Sequence, residues 1–173
     1  TGGNITDTSK AFCYGGTLGG LVEKAGIQYI LSNNHVLAKA NKAVIGDDIV
    51  QPGLIDVSCQ KRPADAVADL SAFVPIAFKS KGATPTNAVD AAIAVTRPGA
   101  VDPAGSILDI GPLSHLAAID KAGCTVQKSG RTTGNTKGTI TATDVTVDVS
   151  YGSGKTARFT DQFIVEPGSF SAG

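Results

Sequence analysis

The chain has no methionine, no tryptophan and few aromatic side chains of any kind. Glycine, alanine, valine, isoleucine and threonine abound instead, a balance that suits short strands and tight turns better than a helical bundle. Without methionine, Thr1 is not an ordinary translation start, and the chain is expected to be a processed or excised piece of something longer. No sign of charge dominates: 15 basic and 15 acidic side chains cancel and neither forms a run. That excludes the electrostatic footprint of a nucleic-acid or anionic-membrane partner. No apolar segment approaches the length that spans a bilayer, and the first residues lack a charged start followed by an apolar stretch. A soluble chain is expected, with its compartment unread. Cysteine is scarce too. Cys13, Cys59 and Cys124 are an odd number without the paired short spacings of a zinc site, so no metal or other cofactor is expected. Each cysteine defaults to a buried small hydrophobe, with one disulfide left open.

What is present is a succession of strand-like stretches separated by turn residues. They run over 16–22, 27–32, 44–51, 73–78, 89–95, 107–110, 125–128, 137–149 and 156–166. Alternation is clearest at the end, where Thr139, Thr141 and Thr143 interleave with Ile140 and Ala142, and Val145, Val147 and Val149 follow at every second position. Phe159, Phe163 and Val165 resume the signal after Gly152-Ser153-Gly154, which predicts a long twisted hairpin. Short helices are expected only over 64–71 and 113–121, neither with caps at both ends. Arg97-Pro98-Gly99, with Asp102-Pro103-Ala104-Gly105 beyond it, separates two strand-rich halves and marks a boundary, giving units 1–98 and 99–173.

One of the two histidines stands out. His35 closes the apolar run Ile27 to Leu31 through the polar corner Ser32-Asn33-Asn34. A lone histidine in an apolar context is more often a packed, hydrogen-bonded residue. At a strand end, however, an imidazole can take a proton from a nucleophile and return it to a leaving group near neutral pH. Such a base needs an orienting carboxylate. Asp90 is the candidate, because Val89 to Val95 places one acid at the mouth of a small apolar strand, where an unpaired carboxylate is costly. The competing account of Asp90 is a capping or turn aspartate, and Asp69 is the alternative orienter. His115 has no acid placed to orient it and reads as a surface residue.

Two further motifs fail on their surroundings. Gly152 to Thr156 ends like a phosphate-binding loop, but Val149 stands where that motif begins with glycine and the residues after Ala157 alternate like a strand. Cys124 could pair with His35 as a nucleophile, yet it enters a strand and no glycine follows it.

Taken in order, GTLGG at 16–20, YILSNNHVLA at 29–38, QPG at 51–53, VDAAIAV at 89–95, VQKSGRTTGNTKGTI at 126–140 and EPGSFSAG at 166–173 resemble a trypsin-like serine peptidase of bacterial type. The resemblance spans nearly the whole chain. It implies an all-β fold of two antiparallel six-stranded barrels of chymotrypsin type, the second incomplete in this chain, with His35 as general base and Asp90 as its orienter where the barrels meet. It also implies a first specificity pocket near Phe170 and Ser171. No acid occupies either position, so small or apolar side chains are the expected preference.

One departure qualifies the match. In that family such a segment leads into Gly-Asp-Ser-Gly, which supplies the nucleophile and the oxyanion hole, and here the sequence ends just before it. Ser32, Ser129, Ser153 and Ser171 lack the surroundings that hold a nucleophile on a sharp exposed turn. The expectation is therefore a serine endopeptidase acting on peptide or protein substrates, its nucleophile lying beyond this chain, with a complementary C-terminal fragment released by autocleavage as the expected partner that carries it. This polypeptide alone should be inactive and should fold poorly by itself, with an unpaired edge and an unfinished core. The alternatives are a non-catalytic barrel that binds peptides and a structural domain that cleaves itself once.

Overall fold

The computed structural model describes residues 3–4, 13, 15–60, 62–113 and 121–166. The molecule is mostly β. Its strands are β1 (Gly3–Asn4), β2 (Gly20–Lys24), β3 (Ile27–Ser32), β4 (Asp48–Val50), β5 (Ala66–Phe73), β6 (Thr86–Asn87), β7 (Ala92–Thr96), β8 (Thr125–Gly130), β9 (Gly134–Ser150) and β10 (Thr156–Glu166). A single turn of α-helix, α1 (Asn34–Leu37), follows β3. Among the described residues, no helix is long and apolar enough to cross a membrane.

Two sheets form. The first is wholly antiparallel in the order β1-β4-β5-β7-β3-β2, and the second runs β6-β10-β9-β8. The second sheet departs from the antiparallel expectation at one edge, where the two-residue β6 lies parallel to β10. The chain reaches β6 between β5 and β7, so a piece of the first half is hydrogen-bonded into the sheet of the second.

Alternation explains the strands that the sequence predicts best. In β9, Thr136, Gly138 and Ile140 are buried while their neighbours face outward, and Ala157 and Phe159 do the same in β10. The Gly152-Ser153-Gly154 turn joins them, with Tyr151 N–H donating to the Lys155 carbonyl at 2.9 Å, so this segment is a hairpin.

The helix expected over 64–71 does not form. Residues Pro63–Asp65 make one 3-10 turn and Ala66 onward is β5. Val67, Ala68 and Leu70 are buried, and pairing to β4 on one side and β7 on the other satisfies backbone groups that local helix propensity could not hold in so short a segment. A bulge at Ser71 interrupts the β5–β7 register, and the Ser71 hydroxyl accepts the Val95 N–H at 3.0 Å. The stretches expected as strands at 73–78 and 107–110 are largely extended or turn structure, with only a bridge between Ile107 and Gly111 in the latter. Of the helix expected over 113–121, residues 114–120 lie outside the described residues, as does His115.

The principal core lies between the strands of the first sheet and α1: Ile30, Leu37, Ile49, Leu70, Ala92 and Ala94 are all but inaccessible. Burying each large aliphatic side chain contributes about 1.5–3 kcal/mol. Leu37 therefore anchors the helical turn that carries His35. A second cluster, Ile76, Ala157 and Phe159 with Phe78, Val147 and Tyr151 against it, joins the β9–β10 hairpin to the segment after β5.

None of the cysteines is a buried core residue. Cys13 and Cys59 form a disulfide that closes 46 residues of chain, and Cys124 is unpaired. Reduction is expected to lower the unfolding free energy by about 2–4 kcal/mol. Urea titration with and without reductant measures this, and an unchanged midpoint would show that the bond constrains nothing.

Candidate active site

His35 sits in the first turn of α1, and its position is built from the residues on either side. Asn33, before the helix, gives its carbonyl to the N–H groups of Val36 and Leu37. Its side-chain amide does not cap the helix. It donates instead to the Asp90 carbonyl at 2.9 Å. Asn34 is completely buried: its amide donates to Asn41 Oδ1 at 2.8 Å and to the Val74 carbonyl at 2.7 Å, while its Oδ1 accepts the Asn41 N–H at 3.0 Å. Asn41 in turn exchanges two hydrogen bonds with the backbone of Ile76. A fully satisfied polar network of this kind fixes a unique arrangement in a low-dielectric interior. Gly16 packs so closely that a Cβ there would lie 2.7 Å from the Val36 side chain.

Asp90 stands two residues before β7. The carboxylate meets His35 twice: Oδ2 lies 2.5 Å from Nδ1 of the imidazole, and Oδ1 accepts the His35 backbone N–H at 3.2 Å. That second bond satisfies one of the N–H groups left unpaired at the start of a helix. Oδ2 also accepts the Tyr151 hydroxyl at 2.9 Å. The Asp90 side chain is 10 % exposed and that of His35 is 48 % exposed. Burial is the largest single influence on Asp90 and opposes its ionisation. The hydrogen bonds from His35 and Tyr151, with the charge of His35, together outweigh it and hold the carboxyl below its ordinary value. Burial first, and then the bond to Asp90, push the Tyr151 phenol well above its ordinary value.

These facts determine where the proton sits. An ionised carboxylate only accepts, so Nδ1 of a neutral His35 carries the hydrogen and Nε2 carries the lone pair. Among the described residues, Nε2 makes no hydrogen bond. The imidazole borders two clefts. One, of about 520 Å³, lies between Gly15, Thr17 and Ser32 on one side and Ile110, Lys128 and Ser129 on the other. The other, of about 640 Å³, is bordered by Asp90, Val147, Val149, Tyr151, Lys39 and Lys42.

No family model matches the chain, and no curated protein matches it.

The alternative orienter is accounted for elsewhere: Asp69 receives two hydrogen bonds from the Arg97 guanidinium, at 3.1 and 2.5 Å, and Arg97 also reaches Asp48. Ser32 donates its hydroxyl to the Thr17 carbonyl at 2.7 Å. Cys124 borders neither cleft. Phe170 and Ser171, expected at a specificity pocket, lie outside the described residues. Among the described residues, no cluster of side chains is suited to hold a metal ion.

Reasoning from the sequence missed Asn34, Asn41 and Tyr151. A buried asparagine within YILSNNHVLA was a signal for the first, since two adjacent amides between apolar runs need partners. Nothing in the sequence singled out Asn41 or Tyr151, whose partners are 35 and 61 residues away.

Proposed function

We propose that this chain belongs to a serine endopeptidase of trypsin-like type, built as two chymotrypsin-like barrels, with His35 as general base and Asp90 as its orienter. The observation that carries the proposal is the 2.5 Å contact between Nδ1 and a buried carboxylate, which leaves Nε2 open beside a cleft between the two sheets. The hydroxyl of a serine outside these 173 residues attacks the peptide carbonyl and forms the tetrahedral intermediate as Nε2 takes the hydroxyl proton. His35 then protonates the departing amine as the C–N bond breaks, leaving an acyl ester. Water, deprotonated by the same nitrogen, hydrolyses the ester. Asp90 keeps the productive tautomer and stabilises the imidazolium throughout.

A fluorophosphonate probe tests the nucleophile and the base together in the complete protein. Wild type is expected to be labelled, with loss of fluoride, and His35→Ala to be labelled at least about 10⁴-fold more slowly. Labelling of His35→Ala at the wild-type rate would overturn the assignment of the base, and an unlabelled wild type would overturn the peptidase.

A further inference from the structure

Tyr151 holds a position that the proposed mechanism leaves unexplained. Its hydroxyl shares Oδ2 of Asp90 with the imidazole, so one carboxylate oxygen receives a donor from each side. The other oxygen is taken by the His35 backbone N–H. Among the described residues the carboxylate is met by His35 and Tyr151, and Tyr151 supplies the contact from the β9–β10 hairpin.

The ring is held as firmly as the hydroxyl. Phe78 meets it edge-on with centroids 5.5 Å apart, Phe159 lies 6.4 Å away, and the His35 ring approaches edge-on at 5.8 Å. The hairpin turn fixes its backbone through the bond from Tyr151 N–H to Lys155. The loop carrying Asp90 is tied to the same sheet twice more. Gln162 donates to the Ala88 carbonyl at 2.9 Å, and the buried Asn87 donates to the Arg158 carbonyl at 3.0 Å.

We propose that Tyr151 is a positioning residue, whose hydroxyl locks the Asp90 carboxylate in the orientation that fixes the tautomer and direction of the His35 imidazole. The proposal rests on the peptidase reading for its catalytic consequence, but the positioning itself can be read from the imidazole directly. A phenol donor also draws charge from the carboxylate. Without it, more negative charge faces Nδ1 and the imidazolium is favoured. The other charged groups bordering this cleft are Lys39 and Lys42, from the segment after α1, while Lys155 lies over the Phe78 ring 5.0 Å from its centroid. Tyr151→Phe leaves all three in place.

The test uses the complete protein with its histidines labelled with ¹⁵N, the His35 signals being identified by their loss in His35→Gln. Tyr151→Phe, which keeps the ring, is expected to raise the midpoint of the His35 titration by about half a unit to one unit and to slow fluorophosphonate labelling about 10-fold with its acid limb displaced in the same direction. Phe78→Leu, which loosens the packing but keeps the hydroxyl, is expected to leave the His35 midpoint where it is. An unchanged midpoint in Tyr151→Phe, or an equal displacement in Phe78→Leu, would overturn the positioning role. A wild type that is never labelled, with the His35 midpoint still moved by Tyr151→Phe, would sink the peptidase and leave the positioning intact.

Discussion

Replacing Asp90 with asparagine is expected to lower the rate of peptide hydrolysis by the complete protein about 10⁴-fold while preserving the fold. The side chains are nearly the same size, and an amide oxygen at the Oδ1 position still accepts the His35 backbone N–H, while the Tyr151 hydroxyl loses its acceptor at Oδ2. What changes is the group facing Nδ1. An amide can offer N–H where the carboxylate only accepted, and that stabilises the tautomer whose lone pair points away from the nucleophile. Steady-state kinetics on a peptide substrate measures the loss, and a rate within tenfold of wild type would remove Asp90 from the mechanism.

The same variant has a pH signature in stability. The folded-state value of the Asp90 carboxyl lies below its ordinary one, because the hydrogen bonds to His35 and Tyr151 outweigh burial. Its ionisation therefore stabilises the fold fully above the unfolded value, near pH 4, and this contribution is lost as pH falls through the lower, folded value. The difference in urea midpoint between wild type and Asp90→Asn should accordingly narrow on acidification.

Asn34→Ala is expected to lower the unfolding free energy by about 2–4 kcal/mol. Asn34 has no accessible surface, and its side chain serves Asn41 twice and the Val74 carbonyl once. Truncation takes a partner from the Asn41 N–H and the Val74 carbonyl, while Asn41 Oδ1 keeps the Ile76 N–H, and it opens a gap where a fully buried side chain stood. Because the network ties the helical turn of His35 to the segment after β5, hydrolysis should fall as well. Urea denaturation followed by circular dichroism gives the first quantity, and a change below about 1 kcal/mol would show that the network is dispensable.

The contrast between β10 and β5 shows how far the fold was legible in the sequence. Within residues 156–166 the alternation holds from Thr156 to Thr160, where Ala157 and Phe159 are buried, and the strand continues to Glu166 through shifts in its pairing with β9 that leave Phe163 exposed. The segment 66–73 carries buried residues at 67, 68 and 70, a spacing that reads equally as a helical stripe. Its conformation is decided by pairing to β4 and β7, which lie well apart from it in sequence. The candidate site divides in the same way. His35 and Asp90 could be chosen because each is a chemically distinctive residue at the end of an apolar run, and the fold brings them together across 55 positions. Tyr151 could not, since only the closing of the β9–β10 hairpin against the loop after β5 gives its hydroxyl a partner. The expected specificity positions, Phe170 and Ser171, fall beyond the described residues, while Asp69 is removed as an orienter by Arg97.

The short parallel edge at β6 sets a mechanical tolerance on this molecule. Thr86 and Asn87 ride on β10, and three residues later the same stretch of backbone must present Oδ2 to an imidazole that rides on the other sheet. A slip between the two layers would be felt at that contact, so the register of one small strand governs the alignment of Asp90 with His35.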